Sequence, residues 1–351
     1  MNQNFLLALT LLTLTPFAST QDGTKHDLKI NATKGTKAQF TIHSKTTQDL
    51  DMGGQQMAMG HDIQRILTIE VADVDKDGNL SLKVTWNSAA GKMLMPMGGE
   101  VEFDTAKAPE GDAGDDSGMG MPGPADVTRF LSAMIGKTLD ATITAKGQDL
   151  EVKGLKELTE GAAKKLQGMG ASMMLGLVNE GLLKRDVESA FCRLPKDPTA
   201  VGGNWKTEIK EAGRKGRPGM RTEGTLKLDK VDKEQIVISM DGALVKDEPK
   251  DEGNAKEGGK AKDEESDDPQ VQMQREMMKG MKVSNGKVSA STTLSRADGM
   301  ALKAEFKMAA DITMPSPMGG EGEMKIAQKA TITCERGAPK KAEAAPKTEK
   351  K

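Results

Sequence analysis

The chain has 351 residues and nearly balanced charge, 50 Lys and Arg against 52 Asp and Glu for a net −2, so no overall field invites nucleic acid or an anionic membrane surface. Aromatics are only 3% and Tyr is absent, which removes most of the stacking surface that carbohydrate and base recognition use. Methionine, at 24 residues, is abundant instead.

The chain begins MNQNFLLALTLLTLTPFASTQDG, an apolar run from Phe5 to Ala18 followed by small and then polar residues. This reads as a cleaved secretory signal peptide over residues 1–20, with Pro16 near a cut after Ala18 or Thr20. The run is shorter than the roughly 20 residues of a spanning helix. No Lys or Arg precedes it, so only the amino terminus supplies positive charge. A soluble periplasmic or secreted protein is expected, of about 330 residues, enough for one large or two ordinary domains.

Strand patterns dominate the remainder of the chain. Phe40 and Ile42 alternate with Thr41 and His43; Leu67, Ile69 and Val71 alternate with Thr68 and Glu70; Leu80, Leu82, Val84 and Trp86 alternate with Ser81, Lys83, Thr85 and Asn87. Period-two alternation predicts strands with one buried and one wet face, the habit of antiparallel sheets. The same signal returns at Trp205 and Ile209, at Leu226 and Leu228, at Ile236, Ile238 and Met240, at Ala304, Phe306 and Met308, and finally at Ile326, Ala330, Ile332 and Cys334. Gln328 interrupts the apolar phase of that last strand.

The two β-rich stretches can be laid against each other. Val74-Asp75-Lys76-Asp77 falls opposite Val231-Asp232-Lys233-Glu234, and GKTLDATITAKGQDLEVKG from Gly136 resembles GKVSASTTLSRADGMALKA from Gly286, which suggests a diverged duplication. The expected organisation is a first β-rich half over 21–158 with a Gly/Pro/Asp-rich disordered insert at 104–125, a helical segment at 159–191, and a second half over 192–336 with a mixed-charge insert at 246–270. A Lys/Ala/Pro tail over 337–351 closes the chain. Within this scheme ADVTRFLSAMIG is a short helix with Val127, Phe130, Leu131 and Met134 on one side and Asp126 near its start. Thr159 is placed as the cap of a longer helix carrying Leu166, Met169, Met173, Leu177 and Val178 at helical spacing. The fold class is therefore α+β: a large curved, half-barrel-like antiparallel sheet from two related halves, with a Met-rich helical segment packed on it.

Four features bear on chemistry. DVDKDGNLSLKV puts Asp73, Asp75, Asp77 and Gly78 where a calcium loop wants them, but Val84 stands at the twelfth place, where a bidentate Glu is needed. Asp77-Gly78 reads better as a turn between two strands. The Met-rich stretches MGGQQMAMGHD (Met52 to Asp62), MLMPMGG (Met93 to Gly99), GMGMP and MPSPMGGEGEM (Met314 to Met324) lie among Gly and Pro. Thioethers are soft ligands suited to Cu(I), so Met57, Met59, His61, Met93, Met95 and Met97 are copper candidates; Met is equally a filler of adaptable apolar surfaces. His26, His43 and His61 all lie near the expected mature N-terminus, with no nucleophile elbow, phosphate loop or paired-His motif beside them. Neither a catalytic residue nor a cofactor is expected. Cys192 and Cys334, in an oxidising compartment, are expected to form a disulfide, two buried free thiols being the alternative.

The succession KGTKAQFTIHSKTTQD, ADVDKDGNLSLKVTW and GKTLDATITAKGQDLEVKGL before a second β half resembles a family of exported bacterial proteins of unknown function that is common in planctomycetes. The resemblance implies an envelope or extracellular protein and carries no catalytic residue across. The function expected is non-enzymatic binding of an apolar small molecule or an envelope component between sheet and helices, with copper binding as the alternative.

Overall fold

The computed structural model describes residues 23–94, 99–107, 123–164, 180–210, 219–247, 280–315 and 323–337, together with Leu166, Met174 and Val178. The expected signal peptide, Met95 and Met97, most of the 104–125 and 246–270 inserts, and the tail beyond Gly337 lie outside these residues. In chain order the elements are β1 (Lys25–His26), β2 (Lys37–Met52), β3 (Gln55–Val74), β4 (Leu80–Leu94), β5 (Glu100–Asp104), α1 (Pro124–Ser132), β6 (Thr138–Ile143) and β7 (Glu151–Val152). Then come α2 (Leu155–Ala163), α3 (Glu180–Glu188), β8 (Thr199–Ala200), β9 (Asn204–Lys210), β10 (Gly219–Val231), β11 (Gln235–Asp247), β12 (Lys282–Ser295), β13 (Ala301–Pro315) and β14 (Glu323–Arg336).

A 12-stranded antiparallel sheet runs β7-β6-β4-β3-β2-β14-β13-β12-β11-β10-β9, with β5 added on the far half of β4. Most neighbours are consecutive in sequence; the exception at the centre is β2 with β14, which joins the two ends of the chain. Among the described residues β7 and β9 do not meet, so the sheet is open. The alternation read from sequence sets its faces: Phe40, Ile42, Leu67, Ile69, Val71 and Val84 are 0% exposed. Gln328 does not break β14, which pairs without interruption from Glu323 to Arg336. At 20 residues, β3 is about 65 Å long at the usual rise.

The β3–β4 and β10–β11 hairpins turn on the same chemistry. Asp75 Oδ1 accepts the backbone N–H groups of Asp77 and Asn79 at 2.8 and 2.9 Å, and Asp232 Oδ1 accepts those of Glu234 and Gln235 at 2.9 and 2.8 Å. These are Asx-type turns. Asp75 therefore spends its carboxylate on the backbone, Gly78 supplies φ +81, and Val84 is buried in the sheet, which fits the turn and not the calcium loop.

Among the described residues three short helices and two extended straps cover the apolar face. α1 packs on β4 and β5 and touches α2, which touches α3. Pro124 opens α1. Asp126 Oδ2 accepts the Gly123 N–H at 3.3 Å, and Val127, Phe130 and Leu131 are buried as their spacing implied. The strap at Ile30 and Asn31 donates to Ala145 and Asp298 in two different hairpin turns. The strap after α3 does likewise: Leu194 donates to Lys146, and Ala301 donates to Ala190.

Two expectations need correction. Thr159 does not cap a helix; it lies inside α2, where its Oγ1 donates back to the Leu155 carbonyl at 3.0 Å, and the turn begins after Gly154 at φ +80. A Thr hydroxyl serves either role, and four more helix-compatible residues precede it. Among the described residues Leu166 and Val178 stand at bends and not in a helix, so the helix that holds Thr159 does not run unbroken to Ala190; Met169, Met173 and Leu177 lie outside the described residues. The expected disulfide is also absent: Cys192 and Cys334 are free and buried. Cys192 sits beside Thr292 of β12 and Cys334 beside Ser189. Thr292 and Cys334 both pair with Ala304, so they stand two strands apart, about 10 Å, and the thiols point to different neighbours. Burial pushes each thiol up to about 12, which leaves them inert as nucleophiles.

Candidate functional site

Among the described residues, the space between sheet and helices is the concave feature that the architecture creates on its apolar face. A bulge shapes it: Ile66 pairs with Ser88 but Leu67 with Trp86, so Asn87 is an extra residue and the inward phase of β4 shifts by one. As a result Trp86 and Ala89 both face inward. With Ile63 and Arg65 from β3 they floor a small cavity of about 20 Å³, roofed by Leu131, Met134, Leu158 and Leu183 from the helical layer. That volume holds about one water molecule.

One ion pair crosses this space. Arg65, 4% exposed, occupies an inward position between Ile63 and Leu67, and Asp186, 2% exposed, occupies the buried side of α3. Arg65 Nε donates to Asp186 Oδ2 at 2.7 Å and Nη2 to Oδ1 at 2.9 Å, a bidentate geometry. The Trp86 indole reaches the same carboxylate at 3.5 Å, and the Ser189 hydroxyl donates to the Asp186 carbonyl at 2.7 Å. Burial pushes the Asp186 carboxyl up, and the Arg65 guanidinium opposes it. The pair ties helix to sheet across an apolar cavity. Sequence reasoning missed it, although two signals existed: a cation in the apolar phase of β3, and an acid on the Leu183 and Val187 side of α3.

Four of the copper candidates lie among the described residues. Met57, Met59 and His61 occupy successive inward positions of β3, and Met93 lies opposite His61 on β4. Met95 and Met97 lie outside the described residues. His61 Nε2 is 2.9 Å from the Ser44 hydroxyl and 3.4 Å from that of Thr46. Burial, and then the Arg65 charge, pull the imidazole down to about 4, so it is neutral at physiological pH and can ligate through a ring nitrogen. The Ser44–His61 contact has the spacing of a nucleophile and its base, but Ser44 is 1% exposed. Asp62, the adjacent acid, is on the opposite face within 2.5 Å of His43 Nε2. Among the described residues no group of three or more His, Cys, Asp or Glu is arranged to hold a metal ion, and no helix is long and apolar enough to cross a membrane.

No curated protein sequence matches the chain. Among solved structures, lipovitellin, described for its lipid–protein interactions, is similar over 87% of this chain and 25% of its own, at 9% identity and a TM-score of 0.42. DynF, from the dynemicin biosynthesis pathway of Micromonospora chersina, is similar over 88% of this chain and 83% of its own, at 5% identity and a TM-score of 0.20. A DUF1329 family protein from Desulfovibrio piger is similar over 83% and 84%, at 8% identity and a TM-score of 0.12. The chain spans about a quarter of the lipovitellin chain, and likenesses this distant carry no argument about function. A model of a family of unknown function (DUF6263) matches residues 77–301, from the β3–β4 turn through the helical layer to the start of β13. With more than half of its length matched, the chain belongs to the family of unknown function DUF6263.

Proposed function

We propose that this is an exported, non-enzymatic binding protein, built from two related halves, that takes an apolar molecule or the apolar part of an envelope component between sheet and helices. The observation that carries the reading is the cavity at Trp86 and Ala89, where a bulge turns both residues inward beneath a separate helical layer. The cavity has room for a water-sized guest, so a larger ligand requires the helices to part from β3 and β4. The non-enzymatic reading draws support from the same face: Ser44 is 1% exposed, and the Arg65 and Asp186 charges neutralise each other. The duplication draws support from the matching Asp75 and Asp232 turns.

Native mass spectrometry of the purified chain for co-purified lipid, together with Trp86 emission on titration with a fatty acid, tests the reading. Bound lipid, or a saturable blue shift abolished by Ala89→Trp, is the expected result. An empty protein whose emission no apolar probe alters would overturn it.

A second reading, copper binding by the Met-rich segments, draws on the opposed His61 and Met93 and on the neutral imidazole. Tighter binding of Cu(I) by the native chain than by His61→Gln would support it; equal binding would not.

A further inference from the structure

The sheet register brings together methionines that the sequence keeps far apart. Met52 ends β2, Met324 lies at the start of β14 and Met314 near the end of β13. Met324 pairs directly with Met52 on one side and with Met314 on the other. All three fall in the inward phase of their strands: with Phe40 and Ile42 on β2, with Ile332 and Cys334 on β14, with Ala310 and Ile312 on β13. Directly opposed residues stand about 4.5–5.5 Å apart, so three thioether side chains lie abreast at the rim of the sheet.

What sets the row apart is the number of thioethers in it. The next inward row on the same three strands is Leu50, Ile326 and Ile312, and Met308 farther along β13 is a single buried thioether between Val288 and Ala330, so on these strands three thioethers stand side by side at the rim and not elsewhere among the described residues. Met324 is buried while Met52 and Met314 are half-buried, which leaves the row reachable from one side. Each side chain has three rotatable bonds, enough for the sulfurs of neighbouring strands to turn to a common point. Gln55 is the residue paired with Met52 across the hairpin, and no three-residue cluster of imidazole, thiol or carboxylate donors exists among the described residues. The row thus offers soft donors without the hard ones that Ca²⁺ or Zn²⁺ need.

We propose that Met52, Met314 and Met324 bind one soft monovalent cation, Cu(I) or Ag(I), through their three thioethers at the rim of the sheet. The inference rests on the copper reading and deepens it by moving the donors to a different row of the same face. Its test is a titration of the full chain, carrying methyl-¹³C methionine, with Ag(I), which is inert to redox change. Met52→Leu, Met314→Leu and Met324→Leu each delete and so assign one methyl resonance, the swap conserving volume. The three resonances are expected to move together and saturate at one ion per chain, and Met324→Leu, which removes the central donor, is expected to weaken binding about tenfold or more. Resonances that stay still, or that Zn²⁺ moves equally, would overturn the inference. Movement confined to Met57, Met59 and Met93 would also overturn it while leaving the copper reading standing. Should Met324→Leu fail to fold, the Met52 and Met314 resonances still decide.

Discussion

Arg65 and Asp186 are the two charged residues buried among the described ones, and burying them is costly unless each keeps the other. Removing one partner strands an ion in an apolar wall: Arg65→Met is expected to cost about 3–5 kcal/mol in urea unfolding, while Arg65→Met with Asp186→Leu recovers most of the loss. Equal stability of the single and double variants would show that the pair is not coupled. His61 makes a prediction of opposite kind. Its folded-state value of about 4 lies below the ordinary 6.5, so as pH falls the unfolded chain takes up the proton first. The neutral imidazole therefore contributes nothing adverse above pH 6.5. Stability falls between 6.5 and 4 by roughly 2 kcal/mol, allowing for partial exposure, and levels off below. His61→Gln flattens that part of the stability profile; an unchanged slope would mean that the imidazole is hydrated in the fold.

At the scale of elements, the straps matter as much as the strands they cross. Gly147 has φ +68, and a Cβ there would lie 2.1 Å from the Cys192 carbonyl oxygen, so the strap after α3 can seat on the turn before β7 only over a glycine. Gly147→Ala is expected to lower stability by more than about 1 kcal/mol and to speed amide exchange at Leu194, whose N–H is bonded to Lys146 in that turn. A loss of stability with Leu194 protection retained would place the strain in the turn alone. The contrast with the hairpin at Asp75 shows what could be read beforehand. A turn is local, so Asp77 and Gly78 announced it in eight residues, and Asp75 and Asp232 each accept two backbone N–H groups of their own turns. The strap is not local, and nothing in the residues around Gly147 says what will cross it. Helix boundaries fell between: α1 carries its own capping signals, whereas Thr159 had two roles open to it and took the interior one.

For the whole molecule, alternation along each strand told which face of Phe40, Leu67 or Ile332 is buried, because period two depends on the strand alone. It could not tell that β14 lies against β2, since any strand with the same phase satisfies the pattern. That one unknown hid the placing of Met52 beside Met324, and so the row that they form with Met314. The β2–β14 ladder pairs residues from Phe40 with Arg336 to Met52 with Met324, and among the described strands it alone joins the run β7 to β2 to the run β13 to β9. A chain ended at Pro315 exposes β2 and β13 as two long edges of 16 and 15 residues, the geometry that templates aggregation. A chain ended at Gly337 keeps the whole ladder. The first truncation is therefore expected to lose its cooperative melt and aggregate, and the second to melt within a few degrees of the full chain. Independent melting of the shorter chain would mean that each run folds by itself and that β14 only bridges two finished units.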